Sequence, residues 1–472
     1  MSEEQKDFSE DDEQIAEAVI RFKQAAENGQ LIYFDVFEYE GIIDYLMEDA
    51  EIELADRAVI CALEVHPNSF EIRLKNAQIL IFKGEALKAL GLLDELEKID
   101  QENIDLQLVK GNAYIQIGQT DKAIELYNAA YAQSGEADGD LAYDIALSLQ
   151  QAEEYQKAIY FLKTAYNDTK NTSLLYELGY CYSRIDKYKE GIEFYERFLN
   201  EDPLNATVWY NLGINYNQIE ECQKAIDAYD YAIALQESLD QAFFNKGNVL
   251  ANTNRYAEAI ASYLEYLELS PDSEDGHFYL ADCYLATNQF EQACMHYKKA
   301  FDLNNTNIEA LHNIAVTLMS DDRYESALEI MNEVLSLEQN NALYLTTFGN
   351  INYELDKPDL AEESYIKALS ADKHCVVAWG ALADIKSLTK NLSVALDTIR
   401  EGLIANPSDP FLLAKTVIIY IELEQKEEAL SAVQEGLKCD DDTSFRNLLY
   451  SQLDEDKENK LLQKVIKELK KE

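Results

Sequence analysis

Between residues 36 and 441 large apolar residues recur at helical intervals, first over about 13 residues and then over about 15, with a short polar break between. In AFFNKGNVLANTNRYAEAIASYLEYLELSP (242 to 271) the break is Thr253-Asn254-Arg255. The spacing predicts a helix hairpin. The pattern returns in GHFYLADCYLATNQFEQACMHYKKAFDLN (276 to 304) and LLYELGYCYSRIDKYKEGIEFYERFLNEDP (174 to 203). Aligned, it gives twelve units starting at 36, 70, 104, 139, 172, 206, 240, 274, 308, 342, 376 and 410, spaced by 34 residues apart from one 35 and one 33. Position 20 of the units is Ala55, Ala89, Ala123, Ala158, Gly191, Ala225, Ala259, Ala293, Ala327, Ala361, Ala395 and Ala429. A small residue there lets two helix backbones approach closely.

Other positions are marked too: a bulky residue at 4 (Trp209, Phe243, Trp379), a small one at 8 (Gly111, Gly179, Gly213, Gly247, Ala281, Gly349), an aromatic or apolar one at 24 (Tyr127, Tyr195, Tyr229, Tyr263, Tyr297, Tyr365) and often proline at 32 (Pro67, Pro203, Pro271, Pro407). In period and positions the chain resembles the tetratricopeptide repeat (TPR) family. The resemblance implies an all-α fold, a right-handed alpha-alpha superhelix, or solenoid, of about twelve hairpins with helical caps. Ile43 and Val417 depart from the small residue at position 8, so the end repeats are expected to pack less regularly.

Outside the repeats, residues 1–12 read as an acidic disordered arm and 13–35 as an N-terminal cap, with a helix over 13–26 stopped at Asn28-Gly29. Residues 442–472 read as C-terminal capping helices over 444–453 and 457–470. The last has Leu461, Leu462, Val465, Ile466 and Leu469 on one face and lysines elsewhere, fitting a solubilising cap or a contact with an anionic surface.

Composition narrows the function. The 89 acidic against 40 basic residues, a formal net of -49, disfavour non-specific attraction to nucleic acid or anionic membranes. Either solubility or a basic partner accounts for that acidity. Seven scattered cysteines without CxxC spacing argue against disulfides or a zinc ribbon and fit the cytoplasm. No run is long and apolar enough to span a membrane. No nucleotide-binding, hydrolase or zinc-protease motif occurs, so no enzyme, no cofactor and no metal are expected. The cluster His277, Cys283, Cys294, His296 matches no common zinc spacing and reads as packing.

The resemblance also implies that positions 2, 5, 9, 12 and 13 of each unit line a concave groove. Position 5 supplies Tyr143, Tyr176, Tyr210, Phe244, Phe278 and His312 in consecutive repeats, either a ladder for a partner's side chains or repeat packing. Tyr180, Asn217, Asn248 and Asn252 add groups able to hydrogen-bond an extended backbone, if they are more than solvated surface. The sixty inner positions hold twelve acids, Asp275 and Asp282 among them, and one base, Arg184. Five of those acids sit near helix N-termini, where the macrodipole favours them anyway; the other seven suggest attraction of Lys- or Arg-rich segments. In WYNLGINYNQ (209 to 218), Trp209, Leu212, Gly213 and Tyr216 fall at packing positions and Tyr210, Ile214, Asn217 and Gln218 at inner ones, with Asn211 undecided between them.

These observations suggest a non-enzymatic scaffold or adaptor binding a protein with an extended basic segment in an acidic, aromatic-lined groove. The alternatives are a ligand- or peptide-responsive regulatory sensor and a permanent non-catalytic subunit of a larger complex. Clamping of a chaperone's acidic tail is disfavoured, because Phe244, Asp275 and Tyr279 stand where bases are required.

Overall fold

The computed structural model describes residues 10–28, 32–135, 138–389, 391–438, 444–453 and 465. Every regular element among them is a helix. A leading helix α1 (Glu10–Asn28) precedes α2 (Val36–Glu48), α3 (Ile52–Val65), α4 (Phe70–Phe82), α5 (Ala86–Leu96), α6 (Ile104–Gln116), α7 (Thr120–Ser134), α8 (Gly139–Gln151), α9 (Tyr155–Thr169), α10 (Ser173–Arg184), α11 (Tyr188–Glu201), α12 (Ala206–Gln218) and α13 (Cys222–Leu235). Then follow α14 (Asp240–Asn252), α15 (Tyr256–Leu269), α16 (Glu274–Ala286), α17 (Phe290–Leu303), α18 (Ile308–Ser320), α19 (Tyr324–Leu337), α20 (Ala342–Glu354), α21 (Pro358–Ala371), α22 (Val376–Thr389), α23 (Leu392–Ala405), α24 (Pro410–Glu422), α25 (Lys426–Lys438) and α26 (Ser444–Leu453). From α2 to α25 they form twelve hairpins, each an A helix and a B helix, so the expected all-α run of hairpins is what the chain contains. The chain divides into two compact units, 1–236 and 237–472.

The two helices of a hairpin begin differently. Most A helices start on a side-chain cap: Asp35, Ser69, Asn103, Asp138, Asn205, Ser273, Asn307, Asn341 and Asp409 each accept a backbone N–H of the first turn. Most B helices have no such cap and are entered through a tight turn instead. Position 15, the turn's pivot, has a left-handed backbone in eleven repeats, at Ala50, Gly84, Gly118, Glu153, Asp186, Glu220, Asn254, Asn288, Asp322, Asp356 and Glu424. Position 15 of the remaining repeat, the eleventh, is residue 390, which lies outside the described residues.

The core of a hairpin is a contact between position 8 and position 24. A Cβ added to Gly111, Gly179, Gly213, Gly247 or Gly349 would stand 2.3 to 2.7 Å from a ring carbon of Tyr127, Tyr195, Tyr229, Tyr263 or Tyr365, so one side of each tyrosine ring packs directly against its glycine. Where position 8 is alanine, position 24 is in most repeats aliphatic: Ala77 with Leu93, Ala146 with Leu162, Ala315 with Met331, Ala383 with Ile399. In the end repeats Ile43 meets Val59 and Val417 meets Val433, all four buried. Irregular packing at Ile43 and Val417 was the sequence expectation, and the structure corrects it. The larger residue at 8 is paired with a smaller one at 24, which limits the rise in summed volume.

Gly191 replaces alanine at position 20 for a local reason. Asn215 of the next repeat donates from Nδ2 to Ser183 Oγ at 2.7 Å, and a Cβ on Gly191 would lie 2.6 Å from that nitrogen.

Both ends are closed by an apolar side chain seated on a glycine. Ile15 of α1 occupies the space beside Gly41, and Phe445 of α26 that beside Gly436. Helix α1 starts at Glu10, three residues before the expected start and within the stretch read as a disordered arm. Val465 is buried in the last core cluster; the rest of the Lys-rich helix expected over 457–470, like residues 1–9, lies outside the described residues.

Candidate functional site

In the first unit a cavity of about 660 Å³ opens on A helices only, α2, α4, α6 and α8. Its carboxylates are Glu40, Glu71, Asp105 and Asp144, and its one cationic side chain is Lys75. That ammonium is engaged, since Lys75 Nζ lies 2.5 Å from Asp44 Oδ1. Burial raises the Glu40 carboxyl above its ordinary range; Lys75 counters this, while Glu71, Asp44 and Asp105 add to it. Burial likewise raises Asp144, with Asp140 and Asp138 adding. A cation entering the cavity would relieve that mutual repulsion.

Other lysines of the A helices are engaged in the same way. Lys110 lies 2.8 Å from both Asp94 and Glu97, and Lys415 lies 2.7 Å from Asp384. Lys75 and Asp44 stand at positions 6 and 9 of successive repeats, as do Lys415 and Asp384.

The expected aromatic ladder divides between the units, with Tyr143, Tyr176 and Tyr210 in the first and Phe244, Phe278 and His312 in the second. Four of these rings pack on position 24 of their own repeat: Tyr176 on Tyr195 (centroids 6.1 Å apart), Tyr210 on Tyr229 (6.0 Å), Phe244 on Tyr263 (5.9 Å) and Phe278 on Tyr297 (5.6 Å). Tyr143 is half-buried against the first unit's core, and His312 is buried beside Thr347 and Tyr344. Each ladder ring thus packs within the repeat array first, His312 against the following repeat, and offers the surface only what remains.

Position 9 is also shared. Tyr127, Tyr263 and Tyr365 donate their hydroxyls to Asn112, Asn248 and Asn350 at 2.6, 2.6 and 2.9 Å, and Tyr297 donates to Asp282. The Asn248 carbonyl is therefore occupied while its amide N–H₂ can still donate outward. Burial raises the Asp282 carboxyl, offset by that hydrogen bond. Asn217 is half-buried, and Asn252 and Asp275 are exposed. Tyr180 meets Tyr155 edge-on at 6.0 Å.

A second, smaller cavity of about 260 Å³ in the first unit gathers Tyr180, Arg184, Asn211, Asn215 and Gln218 between α10 and α12. Asn211, undecided from sequence, points its amide to Tyr176 Oη at 3.4 Å. Position 6, which supplies Lys75, Asp144 and Asn211, was missed as a lining position because inner residues were read from five positions alone.

The histidine and cysteine cluster has a structural explanation. Trp209 and Trp379, both at position 4, donate from Nε1 to the carbonyl six residues earlier, Pro203 and Lys373, each at 2.9 Å. His277 occupies the same position, and its Nε2 lies 3.2 Å from the Pro271 carbonyl. We therefore assign its proton to Nε2, leaving Nδ1 to accept from His296 Nδ1 at 2.9 Å. Among the described residues no three His, Cys, Asp or Glu side chains gather as a metal site.

Burial lowers His277 and, with His277 adjacent, pushes His296 down to about 4; Lys299 lowers and Asp272 raises His277, and Tyr284 stacks on His296. A base whose folded value is depressed stabilises fully above its unfolded value, about 6.5, and loses that contribution as pH falls toward 4. The urea midpoint is expected to fall between pH 7.5 and 5 by less in His296→Gln than in the native chain. An identical fall in both would refute the pairing.

Among the described residues six cysteines are free, and no helix is long and apolar enough to cross a membrane. The family described as anaphase-promoting complex, cyclosome, subunit 3 matches residues 116–198 and 252–334, and the tetratricopeptide repeat matches 210–274. The transcription factor tau 131 kDa subunit of Saccharomyces cerevisiae is 27% identical over 124 residues, 26% of this chain and 12% of that one. Among solved structures, MamA protein is 25% identical over 36% of this chain and 94% of its own, with a TM-score of 0.35. The APC/C hetero-tetramer Cut9-Hcn1 is 13% identical over 92% of this chain and 98% of its own, with a TM-score of 0.37. With the tetratricopeptide repeat matched over 210–274 and a hairpin unit of about 34 residues running from α2 to α25, the chain is a tetratricopeptide repeat protein.

Proposed function

We propose that the chain is a non-catalytic scaffold that holds an extended, basic protein segment against the acidic A-helix face of its first unit. The observation that carries this reading is the cavity where Glu40, Glu71, Asp105 and Asp144 converge on a single lysine already bound to Asp44. A cationic side chain entering there meets partly desolvated carboxylates, where attraction exceeds that at an open surface. Free cysteines fit a thiol-reducing compartment, the cytoplasm or the nucleus.

The test is an anisotropy titration of the full chain with a fluorescein-labelled lysine-rich 12-residue peptide and an acidic counterpart. The basic peptide is expected to bind, and to weaken at least tenfold between about 50 and 300 mM salt. Equal binding of both peptides, or indifference to salt, would sink the reading.

A second reading, a permanent subunit of a larger complex, draws support from the two matches to an anaphase-promoting complex subunit and from the relation to a transcription factor subunit. Co-purification at fixed stoichiometry through high salt would favour it over a reversible adaptor.

A further inference from the structure

We infer that Arg184 makes the second cavity of the first unit a subsite for an acidic side chain, so that a segment held there is bipolar, basic against repeats one to four and carboxylate-bearing against repeats five and six. The bipolar rule rests on the reading above. Its own ground is the inversion of charge along the A helices of one unit.

Arg184 is the one base at the sixty inner positions. Lys75, Lys110 and Lys415 are ion-paired, whereas Arg184 pairs with no carboxylate among the described residues. Its Nε instead donates to Tyr155 Oη at 3.2 Å, and the guanidinium lies over the Tyr155 ring, 5.3 Å from its centroid. Held by Nε and by one face, the fork keeps both terminal nitrogens for an acceptor. Asn211, Asn215, Gln218 and the rings of Tyr180 and Tyr188 line the same cavity, and no carboxylate does.

Two acids lie near. Asp186 already accepts from Tyr188 Oη at 2.5 Å, and Glu153 reaches Arg184 only through its field. A planar carboxylate suits one fork, whereas a phosphate with nearly two charges would have a single cation to meet it.

The two cavities centre on α4/α6 and α10/α12, three A-helix steps apart, roughly 30 Å at about 10 Å per step. An extended chain covers that in about nine residues. The probes are amidated, fluorescein-labelled peptides with a nine-residue Gly/Ser linker: four lysines then two glutamates, four lysines then two glutamines, and an uncharged control. They are titrated against the full chain at about 50 mM salt.

The native chain is expected to bind the glutamate peptide about five- to tenfold more tightly than the glutamine peptide. Arg184→Gln should abolish that difference without altering affinity for the glutamine peptide or the thermal midpoint, since Arg184 is exposed; Arg184→Lys should keep part of it. If the lysine-bearing peptides both bind the native chain and bind it equally, or if the difference survives in Arg184→Gln, the subsite is overturned. If the lysine–glutamine peptide binds no better than the control, the acidic-face reading fails instead. If that peptide with a free C-terminus gains as much as the glutamates give, the carboxylate is a chain end and the side-chain assignment is overturned.

Discussion

Neutralising three carboxylates of the large cavity, Glu40→Gln with Asp105→Asn and Asp144→Asn, is expected to weaken binding of the lysine-rich peptide at least tenfold at low salt. Each pairing with an exposed lysine contributes about 0.2 to 1 kcal/mol, and three acting together in a partly dry cavity reach or exceed one decade. The same variant should unfold at an unchanged or higher temperature. Burial already holds Glu40 and Asp144 above the ordinary carboxylate range, so their charge costs stability in the empty protein. Only Asp105, in the first turn of α6, gives up a favourable helix-dipole term of about 0.5 kcal/mol. Loss of binding with retained stability separates a binding role from a folding role. If the variant bound the peptide as well as the native chain, the acids would be there for solubility alone.

The second large effect lies in the hairpin core. Tyr263→Ala should destabilise the second unit by about 3 to 5 kcal/mol, because the ring is buried on Gly247 and its hydroxyl is bound by Asn248. Gly247→Ala alone should cost about 1 to 3 kcal/mol, since its Cβ would stand 2.7 Å from that ring, less about 1 kcal/mol gained in helix propensity. The double variant Gly247→Ala/Tyr263→Leu reproduces the Ala–Leu pairs of the second and fourth repeats and should recover most of both losses. Urea unfolding of Gly247→Ala, Tyr263→Leu and the double variant forms a cycle whose coupling is expected to exceed 1 kcal/mol. Additive losses would mean that positions 8 and 24 do not compensate each other's volume.

That compensation shows where sequence reading succeeded and where it stopped. The period, the hairpins and the small residue at position 20 are written locally, in the spacing of apolar residues along one helix, and so were legible. The pairing of Ile43 with Val59 was not, because each position was read as a column of its own rather than with its partner sixteen residues later. Asn248 and Asp282 were read as surface groups for the same reason: their donors, Tyr263 and Tyr297, lie on the other helix of the hairpin. The site divides likewise. Glu40, Glu71 and Asp105 stood among the inner acids, but their convergence with Asp144 depends on how four A helices lie side by side. Tyr155 beside Arg184 depends on contact between successive repeats.

The left-handed pivot at position 15 has a colloidal consequence. A side chain there costs native strain that glycine would avoid, yet it also leaves the unfolded chain fewer conformations to lose, so the two effects largely offset. Six of the pivots are accordingly free to be acidic: Glu153, Asp186, Glu220, Asp322, Asp356 and Glu424, every one exposed. Each of these turns therefore carries its carboxylate out into solvent. A carboxylate on so many of them makes each turn a like-charged bumper, keeping neighbouring copies apart while the A-helix faces stay open to a partner.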